Sequence, residues 1–308
     1  MALLLCADHA DPAEWIAALK SEMPELDVRV WPEAGDPEDI DFALVWEPEP
    51  GLLRRFPNLR AICSMGAGVD HVLRDPDLPD VPLVRLVDRR LTAAMSEYVI
   101  LHVLRFTRRM PEILANQRRR KWRYLPPPDT EGTPVGIMGL GELGADAGRK
   151  LAMLGFPVLG WSRTEKRLPG IESMHGAEAL FPFLGRCRIL VCLLPLTPAT
   201  HGLIDARALA ALPEGAFLIN AGRGAHVVDE DLLAALDSGR LAGAVLDVFV
   251  EEPLPPDHPY WTHPKVTVTP HNASDTIAAS AAPQIVDNVR RARAGRPLLN
   301  VVDRRRGY

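Results

Sequence analysis

Three polar segments in the second half of the chain carry residue types able to do chemistry, and each follows an apolar run. Asn220-Ala221-Gly222-Arg223-Gly224 follows the run 216–219, Glu251-Glu252-Pro253-Leu254-Pro255 follows the run that reaches Val250, and Thr269-Pro270-His271-Asn272 follows the run 266–268. Arginine presents five donors in a planar fork and can hold a carboxylate or a carbonyl oxygen. Histidine titrates near neutrality and can deliver a proton, and a carboxylate beside an imidazole orients the ring and favours its protonated form. At the carboxyl ends of neighbouring strands, where open α/β sheets bind ligands, Arg223, Glu252 and His271 form a set suited to reducing a carbonyl group, provided that something supplies a hydride. Taken singly, the same residues read equally well as an ion-pair partner, a solvated charge and a loop histidine with a satisfied ring.

The hydride donor is indicated by Val135-Gly136-Ile137-Met138-Gly139-Leu140-Gly141-Glu142-Leu143-Gly144. An apolar run passes into glycines at G-x-G-x-x-G spacing and then into helix formers. Gly139 suits a sharp turn, Gly141 a close approach of backbone to a pyrophosphate, and Gly144 a helix packed tightly on its strand. The phosphates then meet the positive end of a helix dipole. Glycine-rich turns also arise for packing alone, but residues 155–161 read as a second strand and 145–154 as the helix between, which completes a βαβ unit. At the end of that second strand an acidic residue ordinarily receives the ribose 2′-hydroxyl. Here the residues are Trp161-Ser162-Arg163-Thr164, with no carboxylate before Glu165. Arg163, with Lys166 and Arg167 nearby, suits a 2′-phosphate instead. The expected cofactor is NADP, with NAD possible as the alternative.

The elements that position these groups alternate in type. Strands are expected at residues 2–7, 26–30, 42–46, 61–64 and 82–87, then at 135–138, 158–161, 189–193, 216–220, 243–248 and 266–269. Helices are expected at 12–21, capped by Asp11, at 51–56, 95–109 and 145–154. This alternation predicts parallel, doubly wound sheets. The proline-rich segment 126–134 reads as a linker, and Arg118 to Arg123 as a solvated helix end. Gly66 and Gly68 form a second glycine pair at a strand-to-helix handover, where small residues let N–H groups point at a carboxylate; a ligand-free tight turn is the equal alternative. The 308 residues are 47% hydrophobic with a net charge of −5. That supports about two domains and argues against a nucleic-acid surface. Four cysteines lie mostly within apolar runs without metal-ligand spacing, so buried reduced thiols and no metal are expected. The apolar opening is short and runs into Asp8 and His9, unlike a signal peptide, and no apolar run approaches the ~20 residues of a membrane span. The expected compartment is the cytoplasm.

Taken together, Gly-Leu-Gly-Glu-Leu-Gly, Asn-Ala-Gly-Arg-Gly, Leu-Asp-Val-Phe followed by Glu-Pro-Leu-Pro, and Thr-Pro-His resemble the D-isomer-specific 2-hydroxyacid dehydrogenases, in order and spacing, across nearly the whole chain. Residues 42–46, 66–70, 161–163, 234–239 and 302–308 resemble the bacterial glyoxylate/hydroxypyruvate reductase A branch. The resemblance implies an α/β protein of two doubly wound parallel-sheet domains: a Rossmann-type cofactor domain, 96–274, inserted in a smaller flavodoxin-like substrate domain, 1–95 and 275–308, whose last piece is a helix at 285–295. It implies that Arg223 binds and polarises a 2-oxoacid, that Glu252 pairs with His271, and that His271 donates the proton. Asp247 is placed near the nicotinamide carboxamide. Leu194, Pro195 and Thr197, with Ala221 and Gly222, line the cofactor. Glu142, Leu143, Ser162, Thr164 and Lys166 join the glycines and Arg163 around its phosphates and ribose. Trp46, Met65, Gly66, Ala67 and Gly68 meet the substrate, with backbone N–H groups from Gly66 to Val69 serving its carboxylate. The implied activity is NADPH-dependent reduction of glyoxylate and hydroxypyruvate by a homodimer. The alternatives are a related dehydrogenase for a different 2-oxoacid, or a nucleotide-sensing interaction protein that keeps the same arginine, glutamate and histidine. Two departures stand out: Asn272-Ala273-Ser274 behind His271, and the negative charge of Glu142 and Asp146 near the phosphate turn.

Overall fold

The computed structural model describes residues 1–8, 10–126 and 129–308; His9, and Pro127 and Pro128 of the linker segment, lie outside the described residues. The chain divides into two compact units, Met1–Leu91 with Asp275–Tyr308, and Thr92–Ser274.

The first unit holds β1 (Ala2–Cys6), β2 (Asp27–Val30), β3 (Ile40–Val45), β4 (Ala61–Ser64) and β5 (Leu83–Val84), all parallel in the order β2-β1-β3-β4-β5. Every residue of β1, β3 and β4 is buried, as expected of parallel strands covered on both faces. The period-two alternation sends Leu3 and Leu5 to one core with Phe42 and Leu44, and Ala2, Leu4 and Cys6 to the other. Helix Pro12–Glu22 starts where Asp11 caps it, with the Ala13 N–H donating to Asp11 Oδ1 at 2.9 Å, and it buries Trp15 and Leu19 on the first core. Helix Ala278–Arg293 covers the same core with Ala281, Ile285 and Val289. It starts earlier than the sequence pattern indicates and runs through Pro283. The burial of Ala278, Ala281 and Ala282 supports the first turns that a proline would otherwise weaken.

The second unit holds β6 (Val135–Met138), β7 (Val158–Ser162), β8 (Ile171–His175), β9 (Ile189–Cys192), β10 (Ala216–Asn220), β11 (Leu241–Leu246) and β12 (Val266–Val268) in the order β12-β11-β10-β9-β6-β7-β8. All pairs are parallel. The chain progresses outward in both directions from the β6–β9 pair, so the strand order reverses there and opens a crevice at the carboxyl ends. β8 is absent from the sequence reading because it is an edge strand with a mixed pattern, one residue buried and the rest partly or fully exposed. The strand expected at 82–87 shrinks to Leu83–Val84, since Arg85 N–H donates to Asn300 O and Leu86 N–H to Gly66 O rather than to a neighbouring strand. Helix Arg89–Thr107 begins before residue 95 because Asp88 Oδ1 accepts the Leu91 N–H at 2.8 Å, and a separate helix, Met110–Arg118, follows it. All four cysteines are buried free thiols. Among the described residues no helix is long and apolar enough to cross a membrane.

Candidate active site

The register places Asn220 beside Leu246, and Leu246 beside Val268. The three polar segments therefore leave adjacent strands at the same level: Arg223 follows β10, Asp247 to Glu252 follow β11, and His271 follows β12. Gly224 allows the first two to close on one another, since a Cβ there would lie 1.9 Å from the Phe249 carbonyl carbon. Phe249 N–H in turn donates to Glu252 Oε1 at 2.8 Å, while Glu252 Oε2 meets His271 Nδ1 at 2.7 Å. Burial pushes the Glu252 carboxyl up, but the bonds from His271 and Phe249 and the charges of His271 and Arg223 outweigh it, leaving the group below the usual carboxylate range. With Nδ1 held by the carboxylate, Nε2 is the ring position from which His271 can deliver a proton.

His271 sits in the left-handed region, φ 50°, where a side chain other than glycine or asparagine is strained by about 1–3 kcal/mol. Asp247 supplies what holds it there. Its carboxylate, 1% exposed, accepts from Thr269 Oγ1 at 2.6 Å, Asn272 N–H at 3.0 Å and Ala273 N–H at 2.9 Å. Its backbone oxygen accepts the His271 N–H at 2.8 Å. Tyr98 Oη lies 2.7 Å from Thr269 Oγ1 and, because that hydroxyl donates to Asp247, is the donor of the pair. Asn272-Ala273 after the histidine is thus the segment whose N–H groups grip Asp247.

At the switch point, Gly139 adopts φ 99°, and a Cβ there would lie 2.6 Å from Leu193 O, so β6 and the chain after β9 approach backbone to backbone. Gly144 packs the helix Glu142–Met153 on its strand; a Cβ would lie 1.9 Å from Gly139 O. Gly141 differs from both. It caps the helix with no side chain serving the first-turn N–H groups, and a Cβ there would meet nothing within 4 Å. An uncapped helix start with open space before it fits a pyrophosphate. Gly141→Ala is therefore expected to leave the melting temperature unchanged and weaken dinucleotide binding, whereas Gly144→Ala should lower stability by ~1–3 kcal/mol or more through overpacking. Thermal unfolding and fluorescence titration with NADPH check both, and equal melting losses would refute the division. Glu142 is exposed at this helix start. The charge of Asp146 is spent on Ser96, whose Oγ donates at 2.6 Å, and on Lys150 at 2.6 Å.

Beyond β7, Ser162 is buried and its Oγ donates to Thr164 O at 2.8 Å, while Arg163, Thr164 and Lys166 are exposed. Glu165, the nearest carboxylate, is paired with Arg167 at 3.1 Å. Leu194 and Ala221 are each 8% exposed and belong to the cores, and Pro195 and Thr197 are half-buried in the loop after β9, where Thr200 Oγ1 accepts the Thr197 N–H at 2.9 Å and donates to Pro195 O at 2.8 Å. The sequence reading quotes Gly224 only as part of its motif, with no role of its own, and passes over His226. The Gly-Ala-His that follows Arg223 was the available signal for both.

In the unit of β1–β5, Met65 is buried, and the loop after β4 is drawn tight by Ser64, whose Oγ donates to Gly68 O at 2.8 Å and accepts the Gly66 N–H at 3.3 Å. Among the described residues the N–H groups of Ala67 and Gly68 donate to no protein acceptor. Trp46 lies against this loop: a Cβ at Gly66 would lie 2.7 Å from its Cζ3, and its ring is 4.3 Å from that of His71.

The sequence profile described as D-isomer specific 2-hydroxyacid dehydrogenase, NAD binding domain, matches residues 100–273. A D-isomer specific 2-hydroxyacid dehydrogenase from Xanthobacter autotrophicus Py2, solved in complex with NADPH and MES, is 48% identical, with a TM-score of 0.96 over 100% of this chain and 99% of that one. The NADPH-dependent glyoxylate/hydroxypyruvate reductase of Sinorhizobium meliloti, solved with NADP and sulfate, is 43% identical, with a TM-score of 0.94 over 100% of both chains. A probable 2-hydroxyacid dehydrogenase from Rhizobium etli CFN 42, in complex with NADP, HEPES and L(+)-tartaric acid, is 39% identical, with a TM-score of 0.92 over 100% of this chain and 99% of that one. The two all-parallel sheets agree with this kinship, and the chain belongs to the D-isomer specific 2-hydroxyacid dehydrogenase family.

Proposed function

We propose that the protein reduces small 2-oxoacids with NADPH, glyoxylate to glycolate and hydroxypyruvate to D-glycerate. The observation that carries the reading is the 2.7 Å contact of Glu252 Oε2 with His271 Nδ1, beside the turn that bears Arg223. The dinucleotide, when bound, supplies the hydride. Gly139, Gly141, Leu143 and Gly144 receive its pyrophosphate, and Ser162, Arg163, Thr164 and Lys166 its phosphorylated ribose. Leu194, Pro195, Thr197, Ala221, Gly222 and Asp247 flank the nicotinamide end. Arg223 holds the oxoacid and draws charge towards the carbonyl oxygen as it becomes an alkoxide. His271 holds a proton at Nε2 for that oxygen, and Glu252 stabilises the imidazolium from the other side. The two N–H groups of Ala67 and Gly68 suit the substrate carboxylate. The NADP-bound and NADPH-bound relatives support the choice of cofactor.

A panel of 2-oxoacids assayed for oxidation of NADPH and of NADH tests the reading. Turnover of glyoxylate and hydroxypyruvate with NADPH is expected; NADPH binding without turnover of any 2-oxoacid would favour a nucleotide-sensing role. Trp46 sets the size limit, because its ring closes over Gly66. Trp46→Ala is expected to improve the rate with a bulkier 2-oxoacid relative to glyoxylate, and a folded variant with the wild-type ranking would reduce Trp46 to a packing residue. We further propose a homodimer in the cytoplasm. Light scattering reads the oligomeric state.

A further inference from the structure

His226 is fully buried, and both of its ring nitrogens face backbone groups. The Arg223 N–H, 3.0 Å from Nδ1, can only donate, so Nδ1 accepts and carries no proton. The ring proton then sits on Nε2, 3.3 Å from the Pro195 carbonyl oxygen, which also receives Thr200 Oγ1 at 2.8 Å. The turn and the loop that the ring joins are in close contact: a Cβ at Gly222 would lie 3.0 Å from His226 Nδ1 and 3.1 Å from Leu194 O. Asn220 completes the arrangement, donating from Nδ2 to Arg223 O at 2.9 Å and accepting the Gly222 N–H at 3.2 Å.

Resting on the roles proposed above for Arg223 and for the loop after β9, we propose that His226 is a positioning residue that registers the two. Its Nδ1 fixes the backbone from which Arg223 reaches the oxoacid. Its Nε2–H fixes the carbonyl of Pro195 in the loop that flanks the dinucleotide. One neutral imidazole of a single tautomer therefore sets the oxoacid-holding arginine against the cofactor-lining loop.

Two conservative variants separate the halves. In His226→Asn the amide oxygen falls near the place of Nδ1 and can still accept from Arg223 N–H, but residue 226 no longer reaches Pro195, which keeps only Thr200 Oγ1. In His226→Gln the amide nitrogen falls near the place of Nε2 and can still donate to Pro195, but Arg223 N–H loses its acceptor. His226→Gln is expected to raise the KM for glyoxylate about tenfold with little change in the NADPH dissociation constant, and His226→Asn to do the reverse. Thermal unfolding of both variants is measured alongside; constants that move together, in step with lost stability, would overturn the proposal. Nitrogen-15 NMR of the histidine ring in wild-type protein gives a readout independent of turnover. A protonated Nε2 with an unprotonated Nδ1 supports the proposal, and the opposite tautomer or a doubly protonated ring overturns it. Arg223→Ala, assayed in parallel, separates the two readings: an unchanged KM for glyoxylate would overturn the role of Arg223 and the substrate half with it, while the tautomer and the NADPH measurements still decide whether His226 positions the loop.

Discussion

Turnover of the His271→Ala variant is expected to fall ~100- to 10,000-fold, the range that a positioned general acid contributes, while its NADPH dissociation constant stays near that of the wild type. The imidazole is oriented by Glu252 at 2.7 Å, and no other side chain in the segment after β12 offers a comparable proton. The loop itself has independent support, because the backbone bonds to Asp247 do not involve the ring. Alanine at φ 50° is strained, so His271→Asn, which tolerates that conformation better, is the control that separates chemistry from folding. Both variants should lose turnover to a similar extent. Wild-type turnover in either would sink the assignment.

Removal of the Arg163 guanidinium is expected to weaken NADPH roughly tenfold to more than a hundredfold and to leave NADH nearly unchanged. Charge-assisted hydrogen bonds of the kind a 2′-phosphate makes are worth ~1.5–3 kcal/mol, and each ~1.4 kcal/mol is a factor of ten. In the role proposed for it, Arg163 stands with Lys166 among exposed residues, where positive charge suits a phosphate. Ser162 Oγ donates to Thr164 O at 2.8 Å, and the nearest carboxylate, Glu165, is paired with Arg167 at 3.1 Å. Steady-state constants for both cofactors decide the matter. A wild-type protein indifferent to the phosphate, or an Arg163→Ala variant that loses both cofactors equally, would make Arg163 a surface charge.

Much of this was legible in the sequence, for reasons that differ from residue to residue. The continuous apolar runs of β1, β3, β6, β9 and β10 are unmistakable because parallel strands are buried on both faces, and the Asp11 cap is a local signal. The edge strand β8 lacks such a run, and Pro283 hides the start of its helix, because in both cases tertiary packing supplies what the local pattern withholds. At the site, Arg223, Glu252 and His271 announce themselves by type. What brings them together does not. Gly224 matters for a backbone 25 residues further on, which a Cβ would strike, and Asp247 and His226 bond to backbone groups whose positions only the fold determines.

The division of the chain has a consequence for its synthesis. Residues 92–274 form one contiguous stretch, so the larger unit can close as soon as it has left the ribosome. The unit of β1–β5 cannot. One face of its sheet, carrying Leu3, Leu5, Phe42 and Leu44, is covered by helix Ala278–Arg293, which is made only after the whole of the larger unit. At ~5–20 residues per second the nascent sheet has that apolar face only partly covered, by helix Pro12–Glu22, for roughly 10 to 40 s. During that interval the part of the face that Ala281, Ile285 and Val289 will cover stays open to solvent.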